Sequence, residues 1–100
     1  MIPGIVVKIG DKKYLMPPMN VEIMELHGEF LQELMNKRGQ TETVIHDIVR
    51  MAEIVCLTLK QNYPELSPAE VKRAVNFSNA HQFFEVLFKV SGFEETVPGE

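Results

Sequence analysis

The segment between residues 41 and 62 constrains the fold more than any other part of this sequence. Its spacing predicts a helix whose apolar residues occupy most of the circumference. The polar positions form only a narrow strip, which consists of His46, Arg50, Glu53 and Lys60. A helix of this kind cannot expose one whole side to water without a large apolar surface. We therefore expect it at the centre of the molecule or against another subunit.

A β-hairpin is predicted ahead of the helices, over residues 5–16. Residues 5–9 read Ile-Val-Val-Lys-Ile, which is a short β-branched run, and residues 10–13 supply turn chemistry before Tyr-Leu-Met at 14–16. The hairpin must end there, because Pro17 and Pro18 follow and proline donates no backbone hydrogen bond to a strand ladder.

Three further helices are predicted over residues 20–38, 68–76 and 79–91. The first is expected to begin at the N-cap Asn20 and to end at Gly39, and it has an apolar stripe on one side. Its stripe residues are Ile23, Leu26, His27, Phe30, Leu31 and Leu34. The expected N-cap of the long helix is Thr41 or Thr43. Ser-Pro-Ala-Glu at 67–70 is a capping box, and Gly92 is expected to close the fourth helix.

These elements predict one small α+β domain that is mainly helical, with the hairpin packed on about four helices. A chain of 100 residues and 11.4 kDa has apolar volume for one core. We expect that domain to cover residues 1–92 and expect residues 93–100 to be a flexible acidic tail. No internal repeat and no long linker divides the chain.

Composition excludes several classes of protein. The net charge of −4 and the pI near 5.4 disfavour a protein that binds nucleic acid by neutralising phosphates. The longest apolar run, residues 54–57, is far too short to span a membrane, and the N-terminus lacks the pattern of an export signal. The single cysteine, Cys56, has no partner for an intramolecular disulfide and is expected to be a buried, unreactive thiol.

No combination of residues predicts an active site, a metal site or a cofactor site. His27, His46 and His81 fall on three different predicted helices, without the spacing of a metal or catalytic motif. We expect His27 to be partly buried and the other two to be at the surface or at helix caps. Glu25 and Glu29 are four residues apart, but a solvated acidic helix face explains them better than acid–base chemistry does. We therefore expect no catalytic activity.

Six methionines and a C-terminal group of phenylalanines suggest an interaction protein instead. Methionine adapts to irregular and changing partners, and an excess of phenylalanine can form an exposed patch. The alternative is that both sets belong to the core. The candidate binding surfaces are the long helix and the phenylalanine group, and the candidate partner-binding residues are Phe84, Phe88, Phe93, Met16, Met19 and Met51.

The order of these elements resembles the small tail assembly chaperones of long-tailed bacteriophages. The resemblance covers most of the chain. It rests on the hairpin sequence at 7–17, on an amphipathic helix followed by a very apolar one, on Asn-Tyr-Pro-Glu-Leu-Ser-Pro-Ala-Glu-Val at 62–71, and on the closing segment at 84–92.

The resemblance implies a non-enzymatic protein that binds the tape measure protein during tail assembly, with the major tail protein as a further candidate partner. It also implies action in the host cytoplasm and absence from the finished virion. A longer form made by translational frameshifting is common in that family. The apolar excess of the long helix separately leads us to expect a homo-oligomer.

Two alternatives to a chaperone remain open at the level of sequence. Residues 68–91 could be a helix-turn-helix of a small phage-encoded DNA-binding regulator. The predicted helix over 79–91 argues against it, because it offers few basic or amide side chains. A structural tail component would differ from a chaperone only in remaining within the particle.

Overall fold

A computed structural model describes residues 1–36 and 45–92 of the chain. Strands β1 (Ile5–Ile9) and β2 (Lys12–Met16) are followed by helices α1 (Val21–Asn36), α2 (Ile45–Leu59), α3 (Pro68–Ala74) and α4 (Ala80–Val90). This order confirms the predicted α+β class, with one hairpin and four helices forming a small domain. The predicted caps Gly39, Thr41 and Thr43 and the predicted tail at 93–100 lie outside the described residues.

The hairpin forms where the sequence predicts it. β1 and β2 pair antiparallel, with Ile5 opposite Met16 and Ile9 opposite Lys12. The two-residue turn has Gly10 at a φ of 63°, which glycine adopts without steric strain at the first central position of a type II′ turn. Val7 and Ile9 are buried while Val6 and Lys8 face outward, so the hairpin places one face on the helices.

The starts of α1 and α3 are fixed by side-chain caps. The Oδ1 atom of Asn20 accepts a 2.9 Å hydrogen bond from the N–H of Ile23, which confirms Asn20 as the N-cap of α1. The Oγ atom of Ser67 accepts from the N–H of Ala69 at 3.2 Å, and Pro68 occupies the first turn of α3. At α4 the N-cap position is Asn79, but its side chain accepts from the N–H of Asn76 rather than from the helix.

Helices α2 and α3 end two or three residues earlier than predicted. α2 ends at Leu59 rather than at residue 62, because the chain tightens into a turn in which the N–H of Asn62 donates to the carbonyl of Leu59. α3 ends at Ala74 rather than at residue 76, because Val75 is extended and the Oδ1 atom of Asn76 accepts from the N–H groups of Ser78 and Asn79.

α2 is the central element of the fold, as its apolar circumference predicts. It contacts α1, α3, α4 and β2, whereas α1 packs chiefly on α2. Ile54, Val55 and Leu59 have no exposed surface, and the buried Thr58 hydroxyl donates to the carbonyl of Ile54 at 2.8 Å. One side of α2 and one side of α1 are left facing solvent.

Candidate interaction surface

Five of the six residues predicted to bind a partner lie in the core. Met16 and Phe88 are 0% and 1% exposed, and Met19, Met51 and Phe84 are also buried. The expectation that these residues form an exposed patch is therefore wrong for the described fold, and the alternative that they belong to the core is correct. Phe93, the sixth, lies outside the described residues.

The phenylalanines are buried because α4 is covered on two sides. α4 packs against α2 on one side and against β1 on another. Residues around more of the helix are therefore buried than in a helix that packs through a single apolar stripe. The rings of Phe84 and Phe88 meet edge to face, with centroids 4.5 Å apart. Phe83 and Leu87 are buried with them, whereas Val86 and Val90 are only partly buried.

The apolar side chains that do face solvent were not among the predicted partner-binding residues. On α1 they include Leu26, which is 64% exposed although it was predicted to belong to the buried stripe. On α2, Ile45 and Val49 are 70% and 46% exposed. Val21 on α1 and Leu57 on α2 are exposed as well, and outside these helices the described chain exposes Met1, Ile2, Val6 and Phe77.

α1 and α2 are joined by a polar contact at their interface. The Nε–H of Arg50 on α2 donates a 3.0 Å hydrogen bond to the Nδ1 atom of His27 on α1. The guanidinium carbon of Arg50 also lies 5.2 Å from the centre of the Phe30 ring, within the range of a cation–π contact. Arg50 therefore binds two residues of α1 that lie about one helical turn apart.

The position of His27, partly buried and beside Arg50, lowers the pKa of its imidazole. Burial lowers the pKa of His27, and the neighbouring Arg50 cation lowers it further, while Glu53 opposes both effects. Since Nδ1 accepts a hydrogen bond, the neutral ring must carry its proton on Nε2. His27 is thus partly buried at a helix interface, as the sequence predicted.

A groove opens between α1 and the first half of α2. Its volume is about 470 Å³, and we call it the acidic groove. It is lined by Glu25, Leu26, Glu29, Phe30, Glu33, His46, Asp47 and Arg50. Glu25, Glu29 and Glu33 are all exposed and recur every four residues along α1, so they lie in a row on its outer side. This row confirms the predicted acidic face of α1.

A second groove of about 360 Å³ lies further along α2, against the start of α3. Cys56, Lys60 and Lys72 contribute to its lining. Burial raises the pKa of the Cys56 thiol, and the two lysines only partly offset this effect. A thiol with a raised pKa is a weak nucleophile, so the structure supports the prediction of a buried and unreactive cysteine.

The turn after α2 holds the hairpin in place. The sequence pattern of this segment predicts only the end of a helix. The Nδ2 group of Asn62 donates to the carbonyls of Ile2 and Leu15, at 2.9 and 3.1 Å, and its Oδ1 atom accepts from the N–H of Ile2 at 2.7 Å. The Tyr63 hydroxyl accepts from the N–H of Leu15 at 2.8 Å. Its ring meets the Tyr14 ring edge to face, 4.9 Å away. Residues 62–63 thus pair with the free edge of β2.

The outer face of α4 carries side chains of mixed charge. The exposed side chains of α4 are His81, Gln82, Glu85 and Lys89, and His81 lies 3.3 Å from the carboxylate of Glu85. A recognition helix needs basic and amide groups on its outer face. The mixed charge of α4 therefore gives the helix-turn-helix interpretation no support.

Within residues 1–36 and 45–92, no group of three or more His, Cys, Asp or Glu side chains is arranged to hold a metal ion. In the same residues, no helix is both long and apolar enough to cross a membrane.

Comparisons with protein-family models, with curated protein sequences and with solved structures each found no match to this chain.

Proposed function

We propose that this protein is a non-enzymatic tail assembly chaperone of a long-tailed bacteriophage, which acts in the host cytoplasm and binds the tape measure protein during tail assembly. The observation that supports a binding role is the exposure of Leu26, Ile45 and Val49 on α1 and α2. Large apolar side chains left in water on two adjacent helices gain from being covered by a partner.

A tape measure protein is a suitable client for such a surface. A long, partly helical chain exposes apolar stripes before it is packed into a tail, and a helix can bind in a groove between two other helices. The acidic face of α1 would keep the complex soluble while those stripes are covered. On this proposal the major tail protein is a second client, and the chaperone leaves before the virion is complete.

Co-expression with the tape measure protein of the same genome tests this proposal. We expect the wild-type protein to raise the soluble fraction of the tape measure protein and to copurify with it. Val49→Glu should reduce both effects, whereas Val6→Glu, which places the same charge on the exposed face of the hairpin, should not. Absence of both copurification and rescue with the wild-type protein would contradict the chaperone assignment.

Particle composition separates a chaperone from a structural tail component. We expect purified virions to lack this chain while infected-cell lysates contain it. Retention of the chain in virions at a fixed copy number would instead indicate a structural component.

A further inference from the structure

The acidic groove has an unbalanced charge that suggests what it binds. α1 has glutamates at 22, 25, 29 and 33 and no lysine or arginine. Within residues 1–36 and 45–92, no hydrogen bond or ion pair engages the carboxylates of Glu25, Glu29 and Glu33. Among the described residues that line the groove, Arg50 is the one permanently charged cation, and it is already bonded to His27 and lies over Phe30. A row of unpaired carboxylates favours a cationic partner.

The groove also offers apolar contact beside that charge. Leu26 is 64% exposed and lies between Glu25 and Glu29 in sequence, and the partly buried Phe30 contributes to the same lining. A small metal cation would pair with the carboxylates but leave Leu26 exposed to water. A partner with both basic and apolar groups would gain from the whole groove.

The spacing of the carboxylates matches a helix. Glu25, Glu29 and Glu33 follow one another every four residues, which on α1 is a rise of about 6 Å per step and about 12 Å in all. Lysines or arginines repeated every four residues on a second helix have the same rise, so two helices side by side would align their charges. Apolar residues at intermediate positions of that helix would face Leu26 and Phe30.

We propose that the acidic groove binds a basic amphipathic helix of the client protein, with Glu25, Glu29 and Glu33 pairing with its lysines or arginines and Leu26 packing against its apolar side. This inference rests on the proposed function, because it specifies which kind of client segment the chaperone recognises. Apolar contact with Leu26 would supply most of the binding energy, and the glutamates would select which segment of the client binds.

A synthetic helix tests the groove without the client. The probe is a fluorescein-labelled peptide of about 18 residues with leucine and lysine at amphipathic helical spacing. A second peptide has every lysine replaced by glutamate. We expect fluorescence anisotropy to show binding of the lysine peptide alone, with weaker binding as salt is raised. Equal binding of both peptides would overturn the proposal.

Matched charge reversals locate the binding site. Glu29→Lys should weaken binding of the lysine peptide roughly threefold to tenfold, and Leu26→Ser should also weaken it. Glu65→Lys makes the same charge change at an exposed position outside the groove and should have a smaller effect. Equal effects of Glu29→Lys and Glu65→Lys would show that only net charge matters and would overturn the proposal. Circular dichroism checks that each variant is folded, and Glu29→Gln serves as a milder second variant.

The same variants distinguish this inference from the proposed function. If the wild-type protein rescues the tape measure protein and Glu29→Lys does so equally well, the groove assignment fails and the chaperone assignment stands. If the wild-type protein does not bind the tape measure protein, the chaperone assignment fails, and the peptide measurements still decide what the groove binds. If Glu29→Lys changes the oligomeric state and leaves peptide binding intact, the occupant is a second copy of this chain and the proposal is overturned.

Discussion

The Nε–H of Arg50 donates to the Nδ1 atom of His27 across the interface between α1 and α2. Because a protonated imidazole has no free acceptor at Nδ1, this hydrogen bond exists only while His27 is neutral. The contact therefore makes the attachment of α1 to α2 depend on pH.

We predict that His27 makes the protein less stable as the pH falls below about 6.5, the ordinary value for histidine. The pKa of His27 is lowered in the folded state by burial and by Arg50, so the unfolded state binds a proton first as the pH decreases. The His27 contribution to stability is complete above the unfolded pKa and is lost as the pH falls from there toward the folded pKa.

Thermal unfolding between pH 7.5 and 5.5 is the measurement, since this window lies above the usual titration of carboxylates. The melting temperature of His27→Gln should depend less on pH than that of the wild-type protein. His81→Gln is the control, because His81 lies at the surface beside Glu85. A wild-type melting temperature with the same pH dependence as His27→Gln would contradict the assignment.

We predict that Asn62→Ala detaches the N-terminal segment and weakens the hairpin. The Asn62 side chain makes three hydrogen bonds to the backbone of Ile2 and Leu15, and their loss should lower the free energy of unfolding by about 1–3 kcal/mol. Urea denaturation measures this change. Gln32→Ala, at an exposed position of α1, should alter stability by less than about 0.5 kcal/mol.

Hydrogen exchange gives an independent check on that prediction. The amide of Leu15, which donates to the Tyr63 hydroxyl, should lose protection in Asn62→Ala before amides in the middle of α2 do. Uniform loss of protection would mean that Asn62 stabilises the whole fold rather than the edge of β2.

Local signals in the sequence predicted the elements well. The strand limits at 5 and 16, the N-caps Asn20 and Ser67, and the central place of α2 follow from turn chemistry, capping and periodicity, which act over a few residues. The role of Asn62 could not be predicted in the same way. Its partners lie 47 and 60 residues away, and the same Asn-x-Pro pattern is fully accounted for as a helix end.

The surface was predicted less well than the fold, for a related reason. Periodicity shows which side of a helix is apolar but not how many other elements cover it. α4 lies against both α2 and β1, so Phe84 and Phe88 are enclosed, whereas α1 packs chiefly on α2 and leaves Leu26 exposed. The acidic row on α1 was visible in the sequence, but its position beside a groove was not.

We predict that Phe88→Ala destabilises the fold severely. The side chain is 1% exposed, and truncating a buried phenylalanine removes its packing and leaves a cavity, at a cost of roughly 3–5 kcal/mol. Phe77→Ala removes the same ring from a position that is 64% exposed and should change the free energy of unfolding by about 0.5 kcal/mol or less. Urea denaturation of both variants measures the two changes in the free energy of unfolding. A stable, folded Phe88→Ala protein would indicate that α4 is less enclosed than described.

We predict opposite effects of alanine at two glycines. A Cβ atom at Gly4 would overlap the carbonyl oxygen of Met16, so Gly4→Ala must displace the start of the hairpin and should cost about 1–3 kcal/mol. Gly28 lies inside α1 with open space around it, so Gly28→Ala should stabilise the helix by about 0.5–1 kcal/mol. Thermal unfolding tests both, and a stabilising Gly4→Ala would contradict the close approach of residue 4 to Met16.

We predict that the protein self-associates through the solvent-facing side of α2. Ile45, Val49 and Leu57 are 70%, 46% and 39% exposed and fall on one side of the helix, so association would remove apolar surface from water. Light scattering across micromolar concentrations should give a mass above the 11.4 kDa of one chain. Val49→Glu should shift the protein toward the monomer, and Val6→Glu, at an exposed position on the hairpin, should not. A constant mass of one chain at every concentration would contradict self-association.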